Sequence, residues 1–474
     1  MLNGLDGLGS LDVLGSLDVL GSLDGPGGLD EVCGRVLAET GCPSVSVAVA
    51  AGEELVLARA YGWADVEAGR PATPGTAYGL ASTTKAFTAL AVCLAADRGL
   101  LDLDAPLPAG FGRAAPTARQ LLQHRGGFPS YYDFAYSVPG SSDAPGDAVD
   151  IEHYRRQLHE PGVEFEYANL GYQELARLLE AVTGRELGAL LREWVAEPLG
   201  LAGFAFGPIH PGPAPSAVRY TPDGRAYPPC HTGHPAATSG WATAGDVALF
   251  ARRALGLLEP ETAAAVHDAP AMFAPASLGY GLGRVVQRTP DGSVIGSHGG
   301  GMGGVAAMML DLPGRGLSLA VLANSTDKTA RNAVVEYLTG VLAPEFDPRH
   351  FAPAVEPALP FTLPPGSWSG RITAHDTTVP LGLTVQPDGL VEVRLADHPP
   401  VTVPALASAR WDVRLDTPLH LPTPDTRLAG PATGFELRLR DGDLTGRAVA
   451  YKSGDREGFL GSYLPHPCEL RRER

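Results

Sequence analysis

The chain has very little lysine. Only Lys85, Lys328 and Lys452 stand among its 36 basic residues, so each lysine's placement carries information. Positive charge is scarce overall: 36 basic against 53 acidic residues gives 36 − 53 = −17, which argues against a nucleic-acid footprint. Uninterrupted apolar runs of about 18 residues are missing, so no membrane partner is expected. The five cysteines (Cys33, Cys42, Cys93, Cys230, Cys468) are odd in number and contain no C-x-x-C. That excludes a disulfide scaffold or zinc ribbon and points to a reducing compartment. The first residues lack a basic region and are interrupted by Asp6, Asp12, Asp18 and Asp24, unlike an export signal. A cytoplasmic protein is the expectation.

A six-residue repeat fills residues 5–28 (LDGLGS, LDVLGS, LDVLGS, LDGPGG). Its glycines disfavour an isolated helix, so residues 1–28 read as a flexible low-complexity extension, with weak docking as the alternative. Residues 29–343 alternate helical and strand patterns: helices at 29–40, 82–97, 174–182 and 329–342, and strands at 44–50, 54–65 and 318–324. A proline-rich linker occupies 344–365. In residues 366–474 apolar residues recur with period two: Leu381, Leu383, Val385; Val391, Val393, Leu395; Phe435, Leu437, Leu439. Turn signals at Pro387-Asp388-Gly389 and Asp441-Gly442 separate these runs, so a small all-β barrel is expected.

Three motifs carry chemistry. Ser82-Thr83-Thr84-Lys85 places a hydroxyl and an amine on one helix face. A serine needs a base to become a nucleophile, and a lysine with a lowered pKa can be that base. Ser325-Thr326-Asp327-Lys328 has the same spacing, but only Ser82 has the other two motifs downstream. The second motif is Tyr167-Ala168-Asn169: a phenol beside an ammonium can ionise more easily and relay a proton, and an amide can position a substrate. The third is the glycine-rich stretch 297–304 (SHGGGMGG), read as a loop that brings backbone N–H groups close to a ligand. Cys230, His231 and His234 invite a metal reading, but no further ligand set has recognisable spacing. A loop lining the site entrance is the better reading, and neither metal nor cofactor is expected.

In this order the motifs resemble the serine β-lactamase-like family, which includes penicillin-binding proteins, class C β-lactamases, D-aminopeptidases, esterases and acyltransferases. The stretches YGLASTTKAFTALAV, LLQHRGGFPSY, TSGWATAGDVALF, YGLG and VLANS support the likeness over about residues 29–342. The resemblance implies an α/β fold of antiparallel sheet with flanking helices and an all-α part. It makes Ser82 the acylated nucleophile, Lys85 its base, Tyr167 a proton relay and Asn169 a substrate-positioning group. The backbone N–H groups of Ser82 and Gly301, beside Gly300, would form the oxyanion hole. His298 stands where true β-lactamases carry lysine. Being mostly neutral near pH 7, it anchors a carboxylate weakly and favours esters, thioesters or amides as substrates.

The branch that fits best is the penicillin-binding-protein-type thioesterases, with an H-x-G motif and a C-terminal lipocalin-like barrel. The chain would then release a nonribosomal peptide from a carrier protein, cyclising a peptidyl thioester at a D-configured C-terminal residue. A D-aminopeptidase or carboxylesterase is the alternative, and an inactive binding protein is the second.

Overall fold

The computed structural model describes residues 21–25, 27–108, 114–136, 154–212, 215–273, 278–290, 292–346, 356–374, 377–422, 433–450, 455–456, 459–460 and 464–473. Most of the N-terminal repeat lies outside these residues. Its end does not: Leu23 is buried in the core beneath helix α1 (Leu29–Thr40), and Asp24 pairs with Arg59.

Why the chain folds as a layered sheet is visible in its first strand, β1 (Ser44–Ala51), which is buried along its whole length. Its valines, Val45, Val47 and Val49, face one apolar cluster, while Ala48 and Ala50 face another. A strand covered on both faces reads as continuous rather than alternating hydrophobicity. Strand β2 (Glu54–Asp65) returns antiparallel to it, followed by the short β3 (Arg70–Pro71). Helices α2 (Thr84–Asp97), α3 (Asn169–Thr183) and α4 (Ala244–Arg253) contribute to the alanine-side core. Strands β4 (Leu278–Tyr280), β5 (Val285–Arg288), β6 (Val294–Met302), β7 (Val305–Leu312) and β8 (Leu317–Ala323) complete an eight-stranded sheet ordered β3-β2-β1-β8-β7-β6-β5-β4. Its ladders are antiparallel throughout. Helix α5 (Thr329–Leu342) joins α1 on the valine side. This is the expected fold class.

One expectation is corrected. Residues 297–302 belong to β6 rather than to a glycine-rich loop, and only Gly303 and Gly304 turn the chain into β7. Glycine is required within the strand because a Cβ on Gly300 would sit 2.1 Å from the Leu80 carbonyl oxygen. Here the glycines serve close packing against the nucleophile's turn rather than freedom of the backbone.

The second sheet runs β9 (Gly366–Thr373), β10 (Thr378–Val385), β11 (Val391–Leu395), β12 (Val401–Val403), β13 (Val413–Thr417), β14 (Thr433–Arg440), β15 (Asp443–Ala450) and β16 (Pro465–Arg472). The spatial order β12-β11-β10-β9-β16-β15-β14-β13 makes a nearly closed, lipocalin-like barrel, with edge strands β12 and β13 in contact. The period-two residues fill its core, except that Leu439 is 38% exposed near the end of β14. The Asp441-Gly442 turn has φ of 52° and 91°, the positive values a tight hairpin needs. Phe361 and Leu363 pack against the barrel core.

Candidate active site

The site begins with a strained turn. Ala81, with φ 45°, opens the 3₁₀ turn Ala81–Thr83 that leads into α2. Ser82 and Lys85 thus fall on one face at the helix start. The Lys85 amine lies 3.2 Å from the Ser82 hydroxyl and 3.3 Å from the Ala237 carbonyl. It sits 4.7 Å from the centre of the Tyr167 ring and 5.6 Å from that of Tyr172. Lys85 is fully buried, no carboxylate among the described residues pairs with it, and burial holds its pKa well below 10.5. Burial thereby favours the neutral amine, the form able to take a proton from Ser82.

Tyr167 precedes α3 in a segment that is neither helix nor strand. Burial raises its pKa well above 10, and a hydrogen bond with Ser82 offsets only part of that. The phenol therefore keeps its proton at rest. This corrects the expectation that a neighbouring ammonium would ease its ionisation, because the amine beside it favours its neutral form. The Ser130 hydroxyl donates to the Tyr167 carbonyl at 2.6 Å, and the Ala168 N–H donates to His124 Nδ1 at 3.1 Å. The His124 ring lies 4.1 Å, centre to centre, from that of Tyr167. Asn169 donates to the Tyr131 carbonyl at 3.0 Å, while its buried Oδ1 has no hydrogen-bond partner among the described residues. That oxygen is an acceptor available to a substrate N–H.

His298 lies on β6. Its Nε2 accepts from the Tyr280 hydroxyl at 2.7 Å, and its Nδ1 donates to the Gly299 carbonyl at 2.8 Å. With both nitrogens engaged and burial pushing its pKa to about 3, the imidazole stays neutral and offers no proton to a carboxylate. The Thr83 hydroxyl donates to the His298 carbonyl at 3.2 Å, tying the nucleophile's turn to β6. The β5–β6 ladder ends at Ser297, so among the described residues the edge of β6 across residues 298–302 has no strand partner there. Gly300 and Gly301 pair on the other edge with Ala307 and Ala306.

Ser82, Lys85, Tyr167 and Asn169 are thus brought together beside β6. Ser325 is not: its Oγ accepts from the Asp327 N–H at 3.2 Å, and the Lys328 side chain lies against Gly301. Cys230 and His231 form a short strand, Cys230–Thr232, against Phe134–Tyr136. His234 is buried, accepting at Nε2 from the Asp133 N–H at 3.3 Å. No group able to hold a metal occurs among the described residues. Residues that sequence reasoning missed are His124, Tyr131 and Tyr280; each lay in a stretch supporting the resemblance, but spacing alone assigned it no task.

Comparisons with known proteins bear on the family and the fold. The beta-lactamase family model matches residues 29–342. Protein flp of Staphylococcus aureus (strain NCTC 8325 / PS 47) is 28% identical over 177 residues, 35% of this chain and 35% of that protein. A D-aminopeptidase of Brucella ovis is 30% identical over 165 residues, 34% of this chain and 32% of its own. The matched segment thus spans about a third of the length of these relatives. The crystal structure of SurE superposes with TM-score 0.64 at 22% identity, covering 96% of this chain and 100% of that one. D-amino acid amidase from Ochrobactrum anthropi SV3 does so with TM-score 0.53 at 24% identity, covering 66% and 99%. From the match over residues 29–342 and the shared fold, the chain belongs to the beta-lactamase family, with the penicillin-binding-protein-like fold of serine hydrolases.

Proposed function

We propose that the chain is a serine acyl-enzyme acyltransferase that releases a peptidyl thioester, delivered on a carrier protein in the cytoplasm, and closes it into a ring at a D-configured C-terminal residue. The carrying observation is the Lys85 amine, buried without a carboxylate and 3.2 Å from the Ser82 hydroxyl. Lys85 takes the Ser82 proton as Oγ attacks the thioester carbonyl. The N–H groups of Ser82 and Gly301 face the oxyanion, the C–S bond breaks, and Tyr167 supplies the proton that the departing thiol keeps. The peptide's own amine then attacks the Ser82 ester; Tyr167 takes the amine proton and Ser82 Oγ recovers one as the C–O bond breaks. The unpaired edge of β6 and Asn169 Oδ1 suit an extended peptidyl chain. Neutral His298 supports a thioester or amide over a substrate with a free carboxylate.

Two fold relatives have D-amino acids in their complexes: SurE with D-Leu, and D-amino acid amidase with D-phenylalanine. The SurE complex supports D-selectivity here; the amidase, seen with L-phenylalanine and its amide as well, adds nothing to it. The test offers synthetic peptidyl thioesters ending in a D or an L residue. Mass spectrometry should find product one water lighter than the linear acid, mainly from the D form. Linear acid alone, with rapid turnover of D-aminoacyl amides, would make the chain a D-aminopeptidase-like hydrolase instead. No helix among the described residues is long and apolar enough to cross a membrane.

A further inference from the structure

Residues 164–166, which deliver Tyr167 to the site, are gripped side chain by side chain from the barrel. Arg438 on β14 donates to both oxygens of Glu164 at 2.7 and 2.6 Å. Arg410, just before β13, donates to the Phe165 carbonyl at 3.0 Å and to Glu166 Oε2 at 2.9 Å. Arg447 on β15 donates to Glu166 Oε1 at 2.8 Å. The grip is itself braced: Glu436 accepts from Arg447 Nε at 2.7 Å, and Glu356 accepts from Arg410 Nε at 3.0 Å. The Trp411 ring lies 4.8 Å from the Arg438 guanidinium and 5.5 Å from that of Arg447.

Glu166 is buried, and the two arginines hold its carboxyl down to about 2 against the opposing effect of burial. On the catalytic side, Glu166 Oε1 also accepts from the Ser130 N–H at 3.3 Å, and Ser130 Oγ donates to the Tyr167 carbonyl. Residues 165–168 belong to no helix or strand, so no ladder fixes where the phenol sits. Single contacts do so instead: the Glu166 N–H donates to the His124 carbonyl at 2.8 Å, and the charge-assisted contacts come from the barrel.

We infer that the barrel is part of the catalytic apparatus: Arg447 and Arg410, through Glu166, are positioning residues that hold Tyr167 where it can pass a proton to the leaving group. The inference rests on the relay role proposed above for Tyr167. It assigns the barrel a task in chemistry rather than only in binding or stability. A misplacement of about 1 Å in such a group can cost about 10²-fold in rate.

The experiment uses the full chain and two small esters, p-nitrophenyl acetate with a good leaving group and phenyl acetate with a poor one. Acylation of Ser82 is followed before the steady state. A displaced proton donor slows the poor leaving group more than the good one. Loss of folded protein slows both alike. Glu166→Gln should slow acylation by phenyl acetate about tenfold and by p-nitrophenyl acetate about twofold at most, with KM little changed. Arg447→Met should do the same, Arg447→Lys should restore most of the rate, and the Glu166→Gln/Arg447→Met pair should lose no more than the worse single variant. Should Glu166→Gln fail to fold, Glu436→Gln, which loosens Arg447 and Arg414 without touching residues 164–166, must give the same selective loss in smaller measure.

Equal slowing of both esters in folded variants, or additive losses in the double variant, would overturn the inference. If Tyr167→Phe keeps the wild-type dependence on leaving group, the relay reading itself fails and takes this inference with it. If Tyr167→Phe shows the selective loss while the barrel variants do not, only the barrel's role is lost.

Discussion

Two buried ionisable groups flank Tyr167, and the fold treats them in opposite ways. Lys85 lies beneath the ring with a hydroxyl, a carbonyl and two aromatic faces for company. Glu166, the residue before Tyr167 in the chain, is paired with two arginines. Removing an unpaired amine from water favours its neutral form, whereas a carboxylate between guanidinium groups is held charged. The lysine is thereby made reactive and the glutamate fixed. Difference in partners, not in burial, separates a base from a brace.

The largest effects should come from removing each group, and their stability signs should differ. Lys85→Met should abolish measurable acylation, a loss of about 10³-fold or more. The same change should stabilise the protein, by about 1–4 kcal/mol, because an apolar side chain replaces a group that prefers to be charged. Glu166→Ala takes one partner from each of two arginines, which keep Glu436 and Glu356, and should cost about 1–3 kcal/mol. Thermal and urea unfolding of the two variants checks both signs. A destabilised Lys85→Met protein would mean that the amine is held by contacts worth more than its desolvation, and the contrast would break.

Acid sharpens the same comparison. His234 and His298 are pushed by burial to about 3, and His124 is also held well below its ordinary 6.5. Below pH 6.5 the unfolded chain binds protons that the folded one refuses, so their contribution is present above 6.5 and is lost as pH falls toward 3. Glu166, held at about 2, contributes stability above 4.5 that is lost between 4.5 and 2. Asp311 opposes both: burial raises it to about 6, so its contribution is present below 3.8 and is lost as pH rises to 6. Three histidines outweigh one aspartate. Urea midpoints should therefore fall between pH 6.5 and 4 and more steeply below 4.5. Glu166→Gln should flatten only the lower part. A wild-type midpoint constant from pH 7 to 4 would show that the histidines are hydrated and titrate normally.

How far the sequence discloses all this depends on the range of the interaction. Lys85 and Ser82 are one helical turn apart, so their meeting follows from local geometry, as do the Asp441-Gly442 hairpin and the alternation of Leu381, Leu383 and Val385. The barrel follows from the same patterning, but the order of its strands, with β16 seated between β9 and β15, does not. The stretch 297–302 reads as a loop because it holds three consecutive glycines beside serine, histidine and methionine; only the approach of Leu80 explains why the strand needs glycine at 300. Tyr280 and His298 are 18 positions apart on β4 and β6, with β5 between them, and nothing in either residue's surroundings names the other. Glu166 and Arg447 are separated by 281 positions, with a whole strand set between them. Local periodicity is silent about such pairs, and the most revealing part of the site is of this kind.

The smallest expected effect concerns Tyr280, whose hydroxyl reaches the chemistry through His298. Tyr280→Phe removes the hydroxyl that donates to His298 Nε2, leaving a buried acceptor unsatisfied at a cost of about 1–3 kcal/mol. The ring should not swing away, because Nδ1 still donates to the Gly299 carbonyl and the Thr83 hydroxyl still binds the His298 carbonyl. Acylation by p-nitrophenyl acetate should therefore fall by only about three- to tenfold, the loosening of one hydrogen bond. The lost bond is one that only the neutral imidazole can accept. Without it the His298 pKa should climb from about 3 while burial keeps it below 6.5, and the acid limb of the pH–rate profile should move up with it. A loss of about 10²-fold or more would place the Tyr280 hydroxyl on the substrate and make it a member of the Lys85 group, acting by contact with the reaction. An unmoved acid limb would show that His298 is kept neutral by burial alone, and Tyr280 would then be a brace in the manner of Arg447 rather than a control on protonation.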